Sequence, residues 1–207
     1  EYLKNIKFIT LIDPSLQSGL IKWEKIKQLF EEIFWDTYIE DTKIPLRIVA
    51  TDIDSWKKKV FTTWKIVDAL RASIGIPGVF DPYVIEGCRY VDGWLTENIP
   101  CSVLSTENIV AVSALRDINR NVIKKSKILG FEFDNHFATG YAIMQKSIDI
   151  LLAQNEEKSI QSSKQHVILL RPKFPKIDYY EFHRYEEIIE IWYQEAKKIL
   201  SEKITRN

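Results

Sequence analysis

The hydrophobic residues of the chain recur at the spacing of a helix in four segments. Three of these carry an apolar stripe with charged residues on the opposite side: residues 20–39, 140–153 and 185–200. The last of them has glutamates early and lysines late, as the helix dipole favours. A shorter helix is predicted over residues 67–74 from the spacing of its small and apolar residues. It ends there because Gly75 and Pro77 cannot both continue it.

Short apolar runs rich in β-branched residues predict strands among these helices. In chain order the predicted strands lie within residues 44–54, 58–63, 88–93, 108–115 and 166–172. The run in residues 44–54 is apolar at consecutive positions, which is typical of a strand buried on both faces in a parallel sheet. Because strands alternate with helices through most of the chain, the sequence predicts a layered α/β fold around a largely parallel sheet.

Composition and charge exclude several classes of function. The chain has 207 residues, which fits one domain, and 45% of them are apolar and 28% charged, as in soluble globular proteins. Lysine plus arginine equals aspartate plus glutamate, 29 each, so no net charge favours a nucleic-acid partner. No apolar run is long enough to span a membrane, and no signal peptide is visible. With Cys88 and Cys101 as its two cysteines, the sequence predicts a cytoplasmic protein with reduced thiols.

The histidines do not form a recognisable site. His136, His166 and His183 are widely separated and lack the spacings of zinc ligands. A Ser-His-Asp triad is equally unsupported, because the chain contains no G-x-S-x-G turn to hold its serine. The sequence therefore predicts neither a metal nor another cofactor.

The segment YVDGWLTENIP, residues 90–100, is the strongest candidate for chemistry, and its aspartate has two interpretations. In the first, Asp92 and Gly93 form an ordinary turn, in which the aspartate accepts backbone hydrogen bonds and the glycine takes a positive φ. In the second, the carboxylate is held at the end of a sheet strand, where ligands of open α/β sheets bind, and acts as a general base. The Asp-Gly pair alone favours the turn.

A longer pattern changes that balance. Residues 71–80 read RASIGIPGVF and residues 92–100 read DGWLTENIP, and together they resemble the C-terminal part of the bacterial patatin-like phospholipases. The resemblance extends from about Leu20 to about Leu200. It implies a three-layer α/β/α fold, with residues 1–207 forming the C-terminal portion of a single domain that is incomplete at its N-terminus.

The resemblance also implies a catalytic arrangement. The family is similar to the α/β-hydrolases but uses a Ser-Asp dyad, in which the aspartate takes the proton of the serine directly. By that match Asp92 is the base, while Gly93 and Asn98 support its loop. The nearest string to G-x-S-x-G is RASIG at residues 71–75, where Ser73 is expected to be a helix residue and not the nucleophile. The indole of Trp94 replaces a small residue of the family pattern, so either a steric conflict beside Asp92 or an apolar wall of the acyl pocket is expected.

The missing nucleophile has three explanations. The family's first segment is expected upstream of Glu1, and the chain is then a fragment, a partner of another chain that supplies the serine, or a non-catalytic relative. Without the serine the 207 residues are expected to be inactive toward esters.

By resemblance the intact protein is a lipid acyl hydrolase. Its expected partner is a phospholipid or other acyl ester, met through peripheral membrane contact, with no nucleic acid and no cofactor involved. The oligomeric state stays open, a homo-oligomer included. The alternative is a non-catalytic binding or regulatory module with the same fold.

Overall fold

A computed structural model describes residues 24–77, 80–115, 127–128, 131–132, 135–171 and 184–204. Its contacts divide the chain into two units, Thr10–Ser105 and a second unit of Glu1–Ile9 with Thr106–Asn207. The prediction of a single domain over residues 1–207 stays a prediction.

The unit Thr10–Ser105 is built around a four-stranded sheet. Its helices and strands in chain order are α1 (Glu24–Phe34), β1 (Ile48–Asp52), β2 (Lys57–Phe61), α2 (Ile66–Ser73), β3 (Tyr83–Ile85) and β4 (Cys88–Asp92). The strand order is β2-β1-β4-β3, so β1 and β4 are the central strands. Two short 3-10 helices follow β4, at Gly93–Leu95 and Cys101–Val103.

Strand β1 is covered on both faces, which explains its apolar sequence. Ile48 and Ala50 belong to the hydrophobic core, in which α2 also packs. The alternate residues of β1, Val49 and Thr51, contact the segment that begins with the 3-10 helix Gly93–Leu95. Because successive strand residues point to opposite faces, a strand covered in this way must be apolar at nearly every position.

The prediction of a largely parallel sheet is wrong for this unit, because all three strand pairings of the four-stranded sheet are antiparallel. Two short connections impose two of these pairings, β1 with β2 and β3 with β4. β1 and β2 are joined by residues 53–56, and β3 and β4 by Glu86 and Gly87, whose φ angles are +49° and +81°. Connections of two to four residues can join antiparallel neighbours, whereas parallel neighbours need a crossover of a dozen residues or more.

In the second unit two of the described strands pair in parallel. Its elements are β5 (Asn108–Val112), β6 (Lys127–Ile128), β7 (Phe131–Glu132), α3 (Asn135–Ser162), β8 (His166–Leu170) and α4 (Tyr185–Ile204). β5 pairs with β8 in parallel, and β6 with β7 antiparallel. The α/β class is therefore confirmed, while the three-layer arrangement stays a prediction.

A buried acid ties α3 to the carboxyl ends of β5 and β8. The side chain of Glu156 is fully buried and accepts a hydrogen bond of 2.8 Å from the hydroxyl of Ser113, one residue beyond β5. The same carboxylate forms an ion pair with Arg171, one residue beyond β8. A buried carboxylate needs such partners, so this group is a structural link inside the unit.

The element predictions are largely confirmed in the described residues. The helix predicted over residues 20–39 is α1, which ends at Phe34, five residues earlier than predicted, while residues 20–23 lie outside the described ranges. The helix predicted over residues 140–153 is longer at both ends. None of the described helices combines the length and the hydrophobicity of a transmembrane segment.

Candidate active site

Asp92 is the last residue of β4, one of the two central strands of its sheet. It pairs with Ala50 of β1, and its side chain is half-buried. The chain then enters the 3-10 helix Gly93–Leu95, and the Asp92 carboxylate caps that helix by accepting a hydrogen bond of 3.2 Å from the backbone N–H of Trp94. The sequence predicted a strand ending in a turn at this position, and both features are present.

The backbone of Asp92 is held on both sides. Its N–H donates to the carbonyl of Gly75, just beyond α2, at 3.0 Å. Its carbonyl accepts from the hydroxyl of Thr51 on β1, also at 3.0 Å. The carboxyl group is therefore attached to a backbone with little freedom to move, which is what a positioned proton acceptor requires.

Gly93 is required by close approach and not by backbone conformation. A Cβ atom at this position would lie 2.4 Å from the carbonyl oxygen of Val49 and 2.9 Å from its carbonyl carbon. Gly93 is absent from the described residues with positive φ, so the expectation of a left-handed glycine is wrong. The missing side chain allows the turn after Asp92 to lie directly on β1.

Ser73 lies at the end of α2, as predicted, and its hydroxyl has a structural partner. It donates a hydrogen bond of 2.7 Å to the carbonyl of Val49, the same carbonyl against which Gly93 packs. Thus α2, β1 and the turn after β4 converge on one peptide group.

The electrostatic environment of Asp92 suits proton transfer. Burial raises the pKa of its carboxyl from 3.8 to about 6, while the backbone N–H groups of Trp94 and Gly93 partly offset this effect by hydrogen-bonding the ionised form. A group with this pKa is largely ionised at neutral pH yet still binds a proton readily.

The raised pKa also means that the ionised form costs stability. The folded state binds this proton more tightly than the unfolded chain, so the favourable contribution is complete below about pH 4 and lost as the pH rises through about 6. Asparagine caps helices about as well as aspartate and carries no charge to desolvate. A turn alone would therefore not require an acid here.

The loop that follows Asp92 is secured at its far end. The Glu97 carboxylate accepts from the Lys58 ammonium at 2.5 Å and from the Ser102 hydroxyl at 2.8 Å. Asn98 lies half-buried between the two 3-10 helices, and Pro100 caps the second of them. The predicted supporting role of Asn98 stays a prediction.

Trp94 is half-buried and donates its backbone N–H to the Asp92 carboxylate. The predicted apolar wall formed by its indole stays a prediction.

The conspicuous RASIGIPGVF string contains a structural arginine that sequence reasoning did not single out. Arg71 is 4% exposed, donates to the carbonyl of Asp81 at 2.5 Å, and lies 5.4 Å from the ring centres of both Phe80 and Tyr83. These contacts hold the segment after α2, including Gly75, against the sheet. The RASIGIPGVF segment thus orients the Gly75 carbonyl, which accepts the backbone N–H of Asp92.

The remaining residues considered in the sequence are the histidines and the cysteines. His166 is exposed on β8, while the side chains of His136 and His183 lie outside the described residues. In the ranges that the structure describes, no group of three or more histidine, cysteine or acidic residues could hold a metal ion. Cys88 and Cys101 are free thiols, as predicted.

The comparisons with known proteins concern the segment that contains Asp92. The helices and sheets place the chain in the α/β class, and the half-buried acid at the end of a central strand is its candidate proton acceptor. Residues 3–105 match the model of the patatin-like phospholipase family, and through this segment the chain belongs to that family. The match ends at the boundary of the unit Thr10–Ser105, which holds Asp92. The resemblance expected from there to about Leu200 stays a prediction.

Relatives with similar sequences occur in mycobacteria. Uncharacterized NTE family proteins of Mycobacterium bovis and of two strains of Mycobacterium tuberculosis are each 34% identical to the chain over 101 residues. The aligned segment covers 48% of this chain and 28% of each relative. The chain therefore matches less than a third of the length of these relatives.

Proposed function

We propose that this chain supplies the general base of a lipid acyl hydrolase that works by a Ser-Asp dyad, with Asp92 as the base. The observation that carries the proposal is the half-buried carboxyl of Asp92 at the end of β4, held by its backbone on both sides and with its pKa raised to about 6. Membership of the patatin-like phospholipase family supports the substrate class, a phospholipid or related acyl ester.

The serine would come from outside the 207 residues, since they contain no G-x-S-x-G string. The serine oxygen attacks the ester carbonyl carbon while Asp92 takes the proton of the serine hydroxyl. Backbone N–H groups stabilise the resulting oxyanion. Protonated Asp92 then returns the proton to the departing alcohol, leaving an acyl-enzyme. Water repeats the sequence with Asp92 again as the base and releases the fatty acid. No step needs a cofactor.

The remaining parts of the proposal rest on the family match and on the two cysteines of the sequence. The substrate is met at a membrane surface through peripheral contact, and the protein acts in the cytoplasm. Neither nucleic acid nor a fixed oligomeric state enters the mechanism. In a non-catalytic relative, by contrast, the same turn would need no ionisable group at position 92.

An activated serine is detectable with a fluorophosphonate probe, which phosphonylates the hydroxyl oxygen and releases fluoride. In the protein that carries both this chain and the family's nucleophile segment, we expect one serine within G-x-S-x-G to be labelled. Asp92→Asn is expected to slow labelling by about 10²-fold or more, because the proton acceptor is lost. Intact-mass spectrometry over time measures both rates.

Asp54→Asn is the matched control, because it makes the same chemical change at an exposed acid in the β1–β2 connection. It should label at the wild-type rate. Wild-type labelling of Asp92→Asn, or no labelled serine in the wild-type protein, would contradict the proposal.

A further inference from the structure

Thr51 is a polar residue in a strand that is otherwise buried and apolar up to its last residue. It is 4% exposed, and the three residues before it in β1 are buried and hydrophobic. Its hydroxyl donates to the carbonyl of Asp92 at 3.0 Å and lies 3.0 Å from the hydroxyl of Thr96. A valine would fill the same space, so packing alone does not account for the hydroxyl.

The two hydroxyls form a directed pair under the Asp-Gly turn. Each threonine has one proton to donate. Thr51 donates its proton to the Asp92 carbonyl, so toward Thr96 its oxygen can only accept. The Thr96 hydroxyl has a second acceptor in the Gly93 carbonyl at 3.3 Å, so its one proton is shared between the two acceptors. The Gly93 carbonyl also accepts the backbone N–H groups of Thr96 and Glu97. The Thr51–Thr96 pair thus contacts both carbonyls of the turn.

The position of this pair matters because the strand ladder stops here. Asp92 is the last β4 residue paired with β1, and its N–H is directed to Gly75 beyond α2. The Thr51 side chain therefore holds the peptide that leaves Asp92, at the point where the chain turns away. Together with the N–H held by Gly75, the orientation of this peptide sets the direction of the Cα–Cβ bond of Asp92, from which the carboxyl group extends.

We infer that Thr51 is the positioning residue for Asp92: its hydroxyl, paired with that of Thr96, sets the orientation and burial of the carboxylate. The inference rests on the proposed function for its catalytic consequence. Its structural consequence, a fixed environment for the Asp92 carboxyl, can be measured without any reaction.

The test compares Thr51→Val, which removes the hydroxyl, with Thr51→Ser, which keeps it. In Thr51→Val we expect kcat toward an acyl ester to fall by at least tenfold with little change in KM, because binding does not use this group. A carboxyl NMR titration should show the Asp92 midpoint moving toward 3.8, the value of an unburied aspartate, as the turn loosens and water enters. Thr51→Ser should preserve both values.

Ile39→Val controls for stability, because it removes one methyl group from a buried core residue without touching the turn. It should lower stability comparably while leaving kcat and the Asp92 midpoint unchanged. If Thr51→Val keeps the wild-type midpoint, or loses only stability as Ile39→Val does, the positioning role is overturned. Full activity of Asp92→Asn would instead overturn the proposed function, and the NMR titration would still decide the role of Thr51.

Discussion

Replacing Asp92 with asparagine should reduce turnover of an acyl ester by about 10²–10⁴-fold in the protein that contains both this chain and the nucleophilic serine, the range ascribed to a positioned acid or base. Asparagine keeps the shape of the side chain and can still accept the hydrogen bond of the Trp94 N–H. It cannot accept the serine proton at neutral pH. Initial rates with a chromogenic acyl ester measure the loss, and unchanged turnover would remove Asp92 from the mechanism.

The same variant should become more stable, which separates lost chemistry from lost folding. Burial raises the pKa of Asp92 from 3.8 to about 6, so ionisation weakens the fold as the pH rises through this interval. About two pKa units correspond to about 3 kcal/mol. Relative to wild type, Asp92→Asn should therefore gain about 3 kcal/mol more stability at about pH 8 than at about pH 3. Urea unfolding at the two pH values tests this, and a variant destabilised at about pH 8 would contradict it.

Gly93→Ala should damage both stability and activity. Its Cβ would lie 2.4 Å from the carbonyl oxygen of Val49, which is backbone and cannot rotate away. Overpacking of this kind costs about 1–3 kcal/mol in stability. The turn must shift to relieve the contact, and a displacement of about 1 Å at a reacting group can lower kcat by about 10²-fold. Denaturant unfolding and ester turnover on the same preparation measure the two effects.

Gly140→Ala is the matched control for this substitution. Gly140 is an exposed residue of α3, and a Cβ there meets no atom within 4 Å. Alanine in a helix interior is favoured over glycine by about 0.5–1 kcal/mol, so this variant should be slightly more stable and fully active. Equal stability of Gly93→Ala and wild type would show that the turn does not depend on this contact.

Much of the secondary structure was predictable from local patterns, but the direction of the strands was not. The apolar run of β1 is typical of a parallel strand, whereas β1 is an antiparallel strand buried by α2 on one face and by the turn after β4 on the other. β3 has three residues and too few apolar positions to give a periodic signal. Glu86 and Gly87 form the tight hairpin between β3 and β4 with positive φ angles. The sequence signal for such a hairpin is an Asn-Gly or Asp-Gly pair, and Glu-Gly is a weaker one.

Sequence analysis predicted only those residues of the candidate site that belong to a recognisable motif. The DGWLTENIP string identified Asp92, and the position at the end of a strand was correct. The reason for Gly93 was missed because Val49 is 44 residues away in sequence and the contact exists only in the folded sheet. Thr51 was missed for the same reason, although a hydroxyl inside a buried apolar run is a signal that sequence analysis can use.

The most direct measurement is the pH dependence of kcat/KM for an acyl ester, since this parameter reports ionisations of the free enzyme. If Asp92 is the base, kcat/KM should fall about tenfold per pH unit below a midpoint of about 6, where protonation of the carboxyl removes the acceptor. Whatever activity remains in Asp92→Asn should lack this midpoint. A midpoint near 6 that persists in the variant, or a wild-type profile that stays flat through this range, would show that another group accepts the proton.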